Sequence, residues 1–550
     1  MLIEKKQKLI FILLITIIYL VGFILQTTIL LNGDVSWAMH IATRMLMGGT
    51  YSTDFFEHNP PMLFYLHIPY VFVAQWFSAP IILSLRIYFF LLASLSFYAC
   101  YECVRRIFSQ RETLLGLSFL VTLLFLFLIF LPTIFAQKEH LLFILAMPYL
   151  LVVTTRLQGY RVPVYFAAIV GAMAGIGFAF KPFFLVTFMM IELYYIFSKK
   201  NLFAWLRTEN IVIIFMMLCY VLVIITFYQD YLHVVVPMAM RLYYSGLGHP
   251  FYTFLFKPLV LYCYLAILFY ILSYKNNPHR IISSILFIAM IGFLFAYFMQ
   301  STGYDYQLLP ALYLAMLLSA LLFFIFAFQT EVKISDYIIM IAVGLAILIY
   351  LNSYYRASWH TTLLLFACFA IFPMTRRSII ACLNTAAFGA IIFTFLIFIT
   401  GNAYSSAGAE KKQVNKLITY MNAHVKKHQA IYVFSLVVQH TFPLVDYAGI
   451  IPATRSIMLW QIPGLLKQPG NVKDRDLFIN MIAEDLAKKQ PSLVFVDLLS
   501  SKGVLKPICF NYLLFFAQNQ QFVAQWKHYK YFTTLDLQPS YKLAVYKRVD

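Results

Sequence analysis

The sequence predicts a polytopic α-helical membrane protein of about 13 transmembrane helices with a small C-terminal α/β extracytoplasmic domain. Composition is the first reason. Of 550 residues, 62% are hydrophobic and 11% charged, and mean hydropathy is +0.80. A soluble domain carries about 25% charged residues, so a water-soluble fold could not cover this much apolar surface. The second is run length: many apolar stretches approach the roughly 20 residues that cross a bilayer core. The third is the placement of basic residues, which concentrate in alternate short loops, as the positive-inside rule demands.

The spanning segments are read at about 8–31, 80–103, 113–132, 140–155, 162–179, 183–198, 210–229, 255–274, 281–299, 307–328, 335–351, 359–373 and 378–400. The basic start at Lys5, Lys6 and Lys8 places the N-terminus in the cytoplasm, and the first segment reads as an uncleaved helix because no small-residue cleavage site follows it. The inside loops then carry Arg105, Arg106 and Arg111; Arg156 and Arg161; Lys199, Lys200 and Arg207; Lys275 and Arg280; Lys333; and Arg376 and Arg377. The outer segments are poorer: Arg44, Lys138, Lys181, Arg241, Lys257 and Arg356. An odd number of spans follows, which puts the C-terminus outside. Net charge is +19, which in a soluble protein would suggest nucleic acid. Here it follows topology and lipid phosphate, and no nucleic-acid partner is expected.

The boundary falls at 1–403 for the membrane domain and 404–550 for the tail. In the tail the apolar runs shorten to strand length, in "AIYVFSL" and "PSLVFVDLL", and alternate with the helical patterns "KKQVNKLITYMNAHVKK" and "DLFINMIAEDLAKK". Of seven cysteines only Cys509 lies outside apolar segments, so no disulfide forms within the tail. Cys100 and Cys103 read as packing residues. No Asn-X-Ser/Thr acceptor occurs, which favours a bacterial inner membrane and a periplasmic tail.

Before the tail, the outer acidic residues are Asp34, Asp54, Glu57, Glu139, Asp230 and Asp305. Carboxylates at membrane depth are costly and are functional candidates by default. The first outer loop is the richest. Asp34 follows the first span; "VSWAMHIATRMLMGG" has the spacing of an amphipathic interfacial helix; "GGTY" ends it; and "DFFEHNPP" sets Asp54, Glu57 and His58 before a proline stop. Glu57 and His58 are oxygen and nitrogen donors suited to a divalent metal cation, and Glu139 would complete such a set. The alternative for the loop is a solvated turn with a helix cap.

The ordered set of loops resembles the GT-C superfamily, which includes protein O-mannosyltransferases and the lipid A aminoarabinose transferase. It carries a first-loop Asp, a helix ending in Gly-Gly-x-Tyr and an acidic-His-x-Pro-Pro run. "FAQKEHLLFILAMPYLL" is similar to the family's second outer loop, with Glu139 and His140. "GIGFAFKPFFL" is similar to its Gly-rich helix ending in Lys-Pro, with Lys181. "QSTGYDYQLLP" is similar to a later loop, with Gln300, Tyr304 and Tyr306, and "FPLVDYAGIIPATRSIMLWQIPG" to the domain after the last helix of some members. Three positions depart: Val35 follows Asp34 where the mannosyltransferases have an Asp-Glu pair, Asn59 stands where many have Lys, and Lys138 where Arg is common. The acid survives these departures; the donor sugar and the metal requirement stay open.

The resemblance implies inverting sugar transfer from a polyprenyl-phosphate-linked sugar to an acceptor glycan, lipid or protein at the outer face. That chemistry needs a carboxylate to take the acceptor proton and positive charge on the leaving phosphate. Asp34 fits the base, with helix capping as its alternative, and Arg44 or Lys181 would keep it ionised. Glu139 is the next catalytic candidate. Lys181 is the first phosphate-binding candidate, with snorkelling as its alternative, and Arg241 beside Tyr243 and Tyr244 is the second. His140, Gln300, Tyr304 and Tyr306 are substrate-binding candidates, although a cap for His140 and an aromatic belt for the tyrosines are simpler readings. A transporter, flippase or ligase for lipid-linked saccharide is the rival class. A transporter or flippase meets two objections: no internal repeat is visible, and the charges lie in loops rather than mid-helix; a ligase would depend on basic residues of a large outer loop and not on a first-loop Asp.

Overall fold

A computed structural model describes residues 2–328, 411–499, 505, 510–537 and 541–549. The expected spans 335–351, 359–373 and 378–400, the 403/404 boundary, and Cys368, Cys382 and Cys509 lie outside the described residues.

Every backbone N–H and C=O in a bilayer core must be paired internally, so apolar runs become helices. They are α1 (Leu2–Thr28), α2 (Gly33–Leu46), α3 (Met62–Trp76), α4 (Ile81–Ile107), α5 (Thr113–Leu128), α6 (Lys138–Leu157), α7 (Val164–Phe178), α8 (Leu185–Lys199) and α9 (Thr208–Phe227). After the short α10 (Val236–Met238) and α11 (Tyr244–Leu247) come α12 (Pro258–Ser273), α13 (Arg280–Met299) and α14 (Leu309–Phe328). Among the described residues, nine helical segments are long and apolar enough to span. The protein is thus a multi-pass membrane protein. The tenth segment expected there, α7, has 15 residues and falls short of that length.

Chain packing forms two units. The first comprises Met1–Ile29, Arg86–Cys219 and Pro250–Ser406. Its centre is α6 and α14, whose residues are almost all buried. They contact one another and α13, while α5 packs on α1 and α14. α1 instead exposes Leu9, Ile12, Leu13 and Leu20, and α9 exposes Phe215 and Leu218. Such apolar stripes suit lipid contact, because acyl chains and not water surround them.

The second unit comprises Leu30–Leu85, Tyr220–His249 and Ala407–Asp550. The first loop, assigned from sequence to the membrane domain, therefore packs with the tail. α2 is the expected amphipathic helix. Asn32 caps it by accepting from Asp34 N at 2.9 Å. Gly48, at φ +84°, allows the left-handed turn that follows it. Most of the first ten residues of α2 are buried within this unit.

In the tail, β1 (Ala430–Phe434), β2 (Ile451–Pro452), β3 (Leu493–Asp497), β4 (Tyr529–Leu537) and β5 (Tyr541–Arg548) form one sheet in the order β2-β1-β3-β5-β4. β1 pairs in parallel with β2 and β3, and β5 pairs antiparallel with β3 and β4. β3 is buried at every position, and β1 at all but its first, as central parallel strands covered on both faces must be. Helices at 411–424 and Val472–Lys489 match the two helical patterns read from sequence.

Candidate active site

The first unit brings three of the predicted residues together. Glu139 stands in the first turn of α6, and Lys181 in the break between α7 and α8. Gln300 caps the C-terminal end of α13. Lys181 Nζ donates to Glu139 Oε1 at 3.1 Å and to Gln300 Oε1 at 2.5 Å. Glu139 is fully buried, and the Lys181 side chain is 12% exposed. Glu139 Oε2 is buried with no hydrogen-bond partner among the described residues. A buried acceptor without a donor is costly, so this oxygen is a place where a ligand hydroxyl or a water would be held.

Beside this centre in sequence, Tyr304 and Tyr306 stack on each other, with centroids 5.5 Å apart and an interplanar angle of 10°. Lys138 Nζ lies 5.2 Å from the Tyr306 ring centroid, a cation–π contact the sequence did not signal. Lys257 pairs with Asp305 at 3.1 Å and donates to Gly303 O. Asp305, one of the acidic candidates, thus has a local cation.

His140 stands apart from the expected substrate-binding role. It is 2% exposed. Its Nδ1 accepts from Ala136 N at 3.2 Å, and its Nε2 lies 2.9 Å from Phe127 O. With both nitrogens held by backbone, the ring braces the turn before α6.

The second unit holds Asp34, Glu57, His58 and Arg241. Asp34 is half-buried in the first turn of α2, where the helix dipole favours a carboxylate. Arg44, expected to keep it ionised, is ten residues further along α2, about 15 Å at the helical rise. Its guanidinium instead donates to Asp54 O at 2.7 Å and Thr454 O at 3.0 Å. Asp54 in turn accepts from Thr50 N at 2.9 Å, and Asp230 from Ser52 Oγ at 3.0 Å.

The metal candidates Glu57 and His58 have protein partners of their own. Glu57 Oε2 accepts from Trp37 Nε1 at 2.7 Å. Glu57 Oε1 accepts from Asn59 N at 2.9 Å and Asn59 Nδ2 at 2.7 Å. Both oxygens thus already accept from N–H donors, Oε1 from two and Oε2 from one. His58 Nδ1 lies 3.0 Å from the same carboxylate, out of line for a hydrogen bond, and its ring stacks on Tyr243 at 4.4 Å. Among the described residues no group of three His, Cys, Asp or Glu converges as metal ligands.

Arg241, the second phosphate candidate, makes a two-pronged pair with Asp474: Nε and one Nη each donate at 2.7 Å. The guanidinium holds the Asp474 carboxyl below its usual range, and Asn471 adds to that.

The first unit also holds a buried ion network. Arg207 pairs with both oxygens of Glu192, and Arg156 with Glu209 at 2.8 Å. Tyr149 donates to Glu192 at 2.5 Å. A Glu within the apolar helix α8 was its available signal. The network is charge-balanced, and we assign it to packing.

The fold of the chain is shared with solved membrane-protein structures. Two solved structures carry the comparison, both crystal structures of ArnT from Cupriavidus metallidurans, one bound to undecaprenyl phosphate and one in the apo state. Each is 13% identical in sequence, with a TM-score of 0.60. Each covers 98% of this chain, and the chain covers 98% and 97% of theirs. No family model matches, and no curated protein does.

Proposed function

We propose that the chain is a glycosyltransferase that moves a sugar from a polyprenyl-phosphate donor to an acceptor at the outer face of the inner membrane, with inversion. The observation that carries this reading is the Lys181 ammonium, held by Glu139 and Gln300 in a fold shared with a protein solved with undecaprenyl phosphate. A lysine at the end of an apolar helix, oriented by two side chains, is pre-organised for the phosphate of a lipid carrier.

In the reaction, the acceptor oxygen forms a bond to the anomeric carbon while the bond from that carbon to the phosphate oxygen breaks. The proton of the acceptor hydroxyl passes to Asp34. The phosphate leaves as an anion, so Lys181 supplies charge and no general acid is needed. Glu139 Oε2 accepts a hydroxyl of the donor sugar, and Tyr304 and Tyr306 offer it a stacking face. The tail is periplasmic. The test is release of undecaprenyl phosphate from a panel of undecaprenyl-phosphate-linked hexoses and pentoses by purified full-length protein. No release across the panel, with undecaprenyl phosphate still bound, would favour a flippase.

A further inference from the structure

Ser36 and His40 lie four residues apart on α2, hence on one face of the helix whose first turn holds Asp34. Both meet one carboxylate of the tail. Ser36 Oγ donates to Asp446 Oδ2, and His40 Nε2 lies 2.8 Å from Asp446 Oδ1. The Asp446 side chain is 5% exposed. The next residue continues the grip: Tyr447 Oη accepts from Leu31 N at 3.0 Å. Phe442 packs its ring on Trp37 at 5.1 Å and on His40 at 5.3 Å. Gly33 leaves no room for a side chain, because a Cβ there would stand 2.6 Å from Val438 Cγ1 and 2.9 Å from Phe442 O.

The gripping segment is itself anchored to the sheet. Ser435 directly follows β1, and Asp497 ends β3, its parallel neighbour. Ser435 Oγ donates to Asp497 Oδ2 at 3.2 Å and lies 2.7 Å from His440 Nδ1. All three are almost fully buried. This is a Ser-His-Asp cluster without access to solvent, so it reads as a brace, not a nucleophile. A continuous chain of contacts then runs from the sheet through 435–447 to the first turns of α2.

We infer that Asp446 is a positioning residue for Asp34: the tail segment 438–447 sets where that carboxylate stands. The inference rests on Asp34 being the base. A sheet-anchored clamp matters because general-base catalysis needs the carboxylate within hydrogen-bond reach of the acceptor, and a misplacement of about 1 Å can cost about 10²-fold. The tail is thereby part of the catalytic apparatus without touching substrate.

The experiment compares Asp34→Asn, Asp446→Ala and the double variant in full-length protein. It follows release of undecaprenyl phosphate from lipid-linked hexoses and pentoses, and binding of undecaprenyl phosphate. Asp446→Ala is expected to lower turnover about 10- to 100-fold with donor affinity unchanged, and the double variant to be no slower than Asp34→Asn alone. Losses that multiply in the double variant would overturn the positioning role, since a general structural defect adds to any other. Normal turnover in Asp34→Asn alone overturns the base and the positioning role together. Should Asp446→Ala fail to accumulate, Ser36→Ala and Tyr447→Phe each remove a single bond and carry the same comparison.

Discussion

Lys181 Nζ stands 3.1 Å from Glu139 Oε1, the lysine in the break between α7 and α8 and the glutamate in the first turn of α6. The pair is a ready cation with its counter-charge already in place. An incoming phosphate competes with Glu139 for it. Lys181→Ala should therefore weaken undecaprenyl phosphate binding by about 10- to 100-fold, the worth of a charge-assisted hydrogen bond. Glu139→Gln removes the competitor and should leave that affinity equal or tighter. Affinity unchanged in Lys181→Ala, measured by titration of the purified protein, would take Lys181 out of the site.

Asp34→Asn keeps the size of the side chain and removes its basicity. Turnover should fall by about 10²- to 10⁴-fold, the usual contribution of a general base. Yield and undecaprenyl phosphate affinity should hold. The helix cap itself survives this change, because Asn32 and not Asp34 provides it. Near-normal turnover would pass the role to Glu139.

Glu57 is bonded to N–H donors from Trp37 and Asn59. Glu57→Ala should strand these buried donors and lower the thermal midpoint, since unmet buried donors cost about 1–3 kcal/mol each. Excess chelator should leave donor binding and the thermal midpoint of the unmodified protein in place. Loss of either on chelation, with recovery on adding magnesium, manganese or calcium, would restore a metal to this loop.

Arg241 lowers the Asp474 carboxyl, with its hydrogen bond the largest cause. A group depressed in the folded state stabilises above its unfolded pKa, about 3.9 for Asp, and that contribution is lost as pH falls further. Arg241 is 49% exposed, so screening keeps the pair near about 1 kcal/mol. Asp474→Asn should melt slightly below the unmodified protein at pH 6, and the gap should close towards pH 3. Arg241→Ala should leave undecaprenyl phosphate affinity unchanged; a loss comparable to that of Lys181→Ala would return Arg241 to the donor site.

Topology has a simple readout. Alkaline phosphatase fused after residue 550 should be active, and green fluorescent protein there should be dark. Fluorescence without phosphatase activity would contradict a periplasmic tail.

What the sequence determined by itself was whatever depends on local pattern. Apolar runs that must pair their own backbone specify the helices α1, α4 to α9 and α12 to α14, and the strand-length runs at 430–436 and 491–499 specify β1 and β3. The order of the loops resembled a family that includes the aminoarabinose transferase, and the fold is shared with solved structures of ArnT. Lys181 and Glu139 were visible too, as ionisable groups in apolar surroundings are. Tertiary structure alone decided which partners they meet. No spacing rule links Glu139 to Lys181 and Gln300, or Ser36 and His40 to Asp446, hundreds of residues away. Nor does the pair of donor atoms in "EH" reveal that Trp37 and Asn59 already occupy the Glu57 carboxylate. A residue type states what a side chain is able to bond; only the folded chain brings its partner within 3 Å, and with that decides whether it braces the structure or stays ready for a ligand.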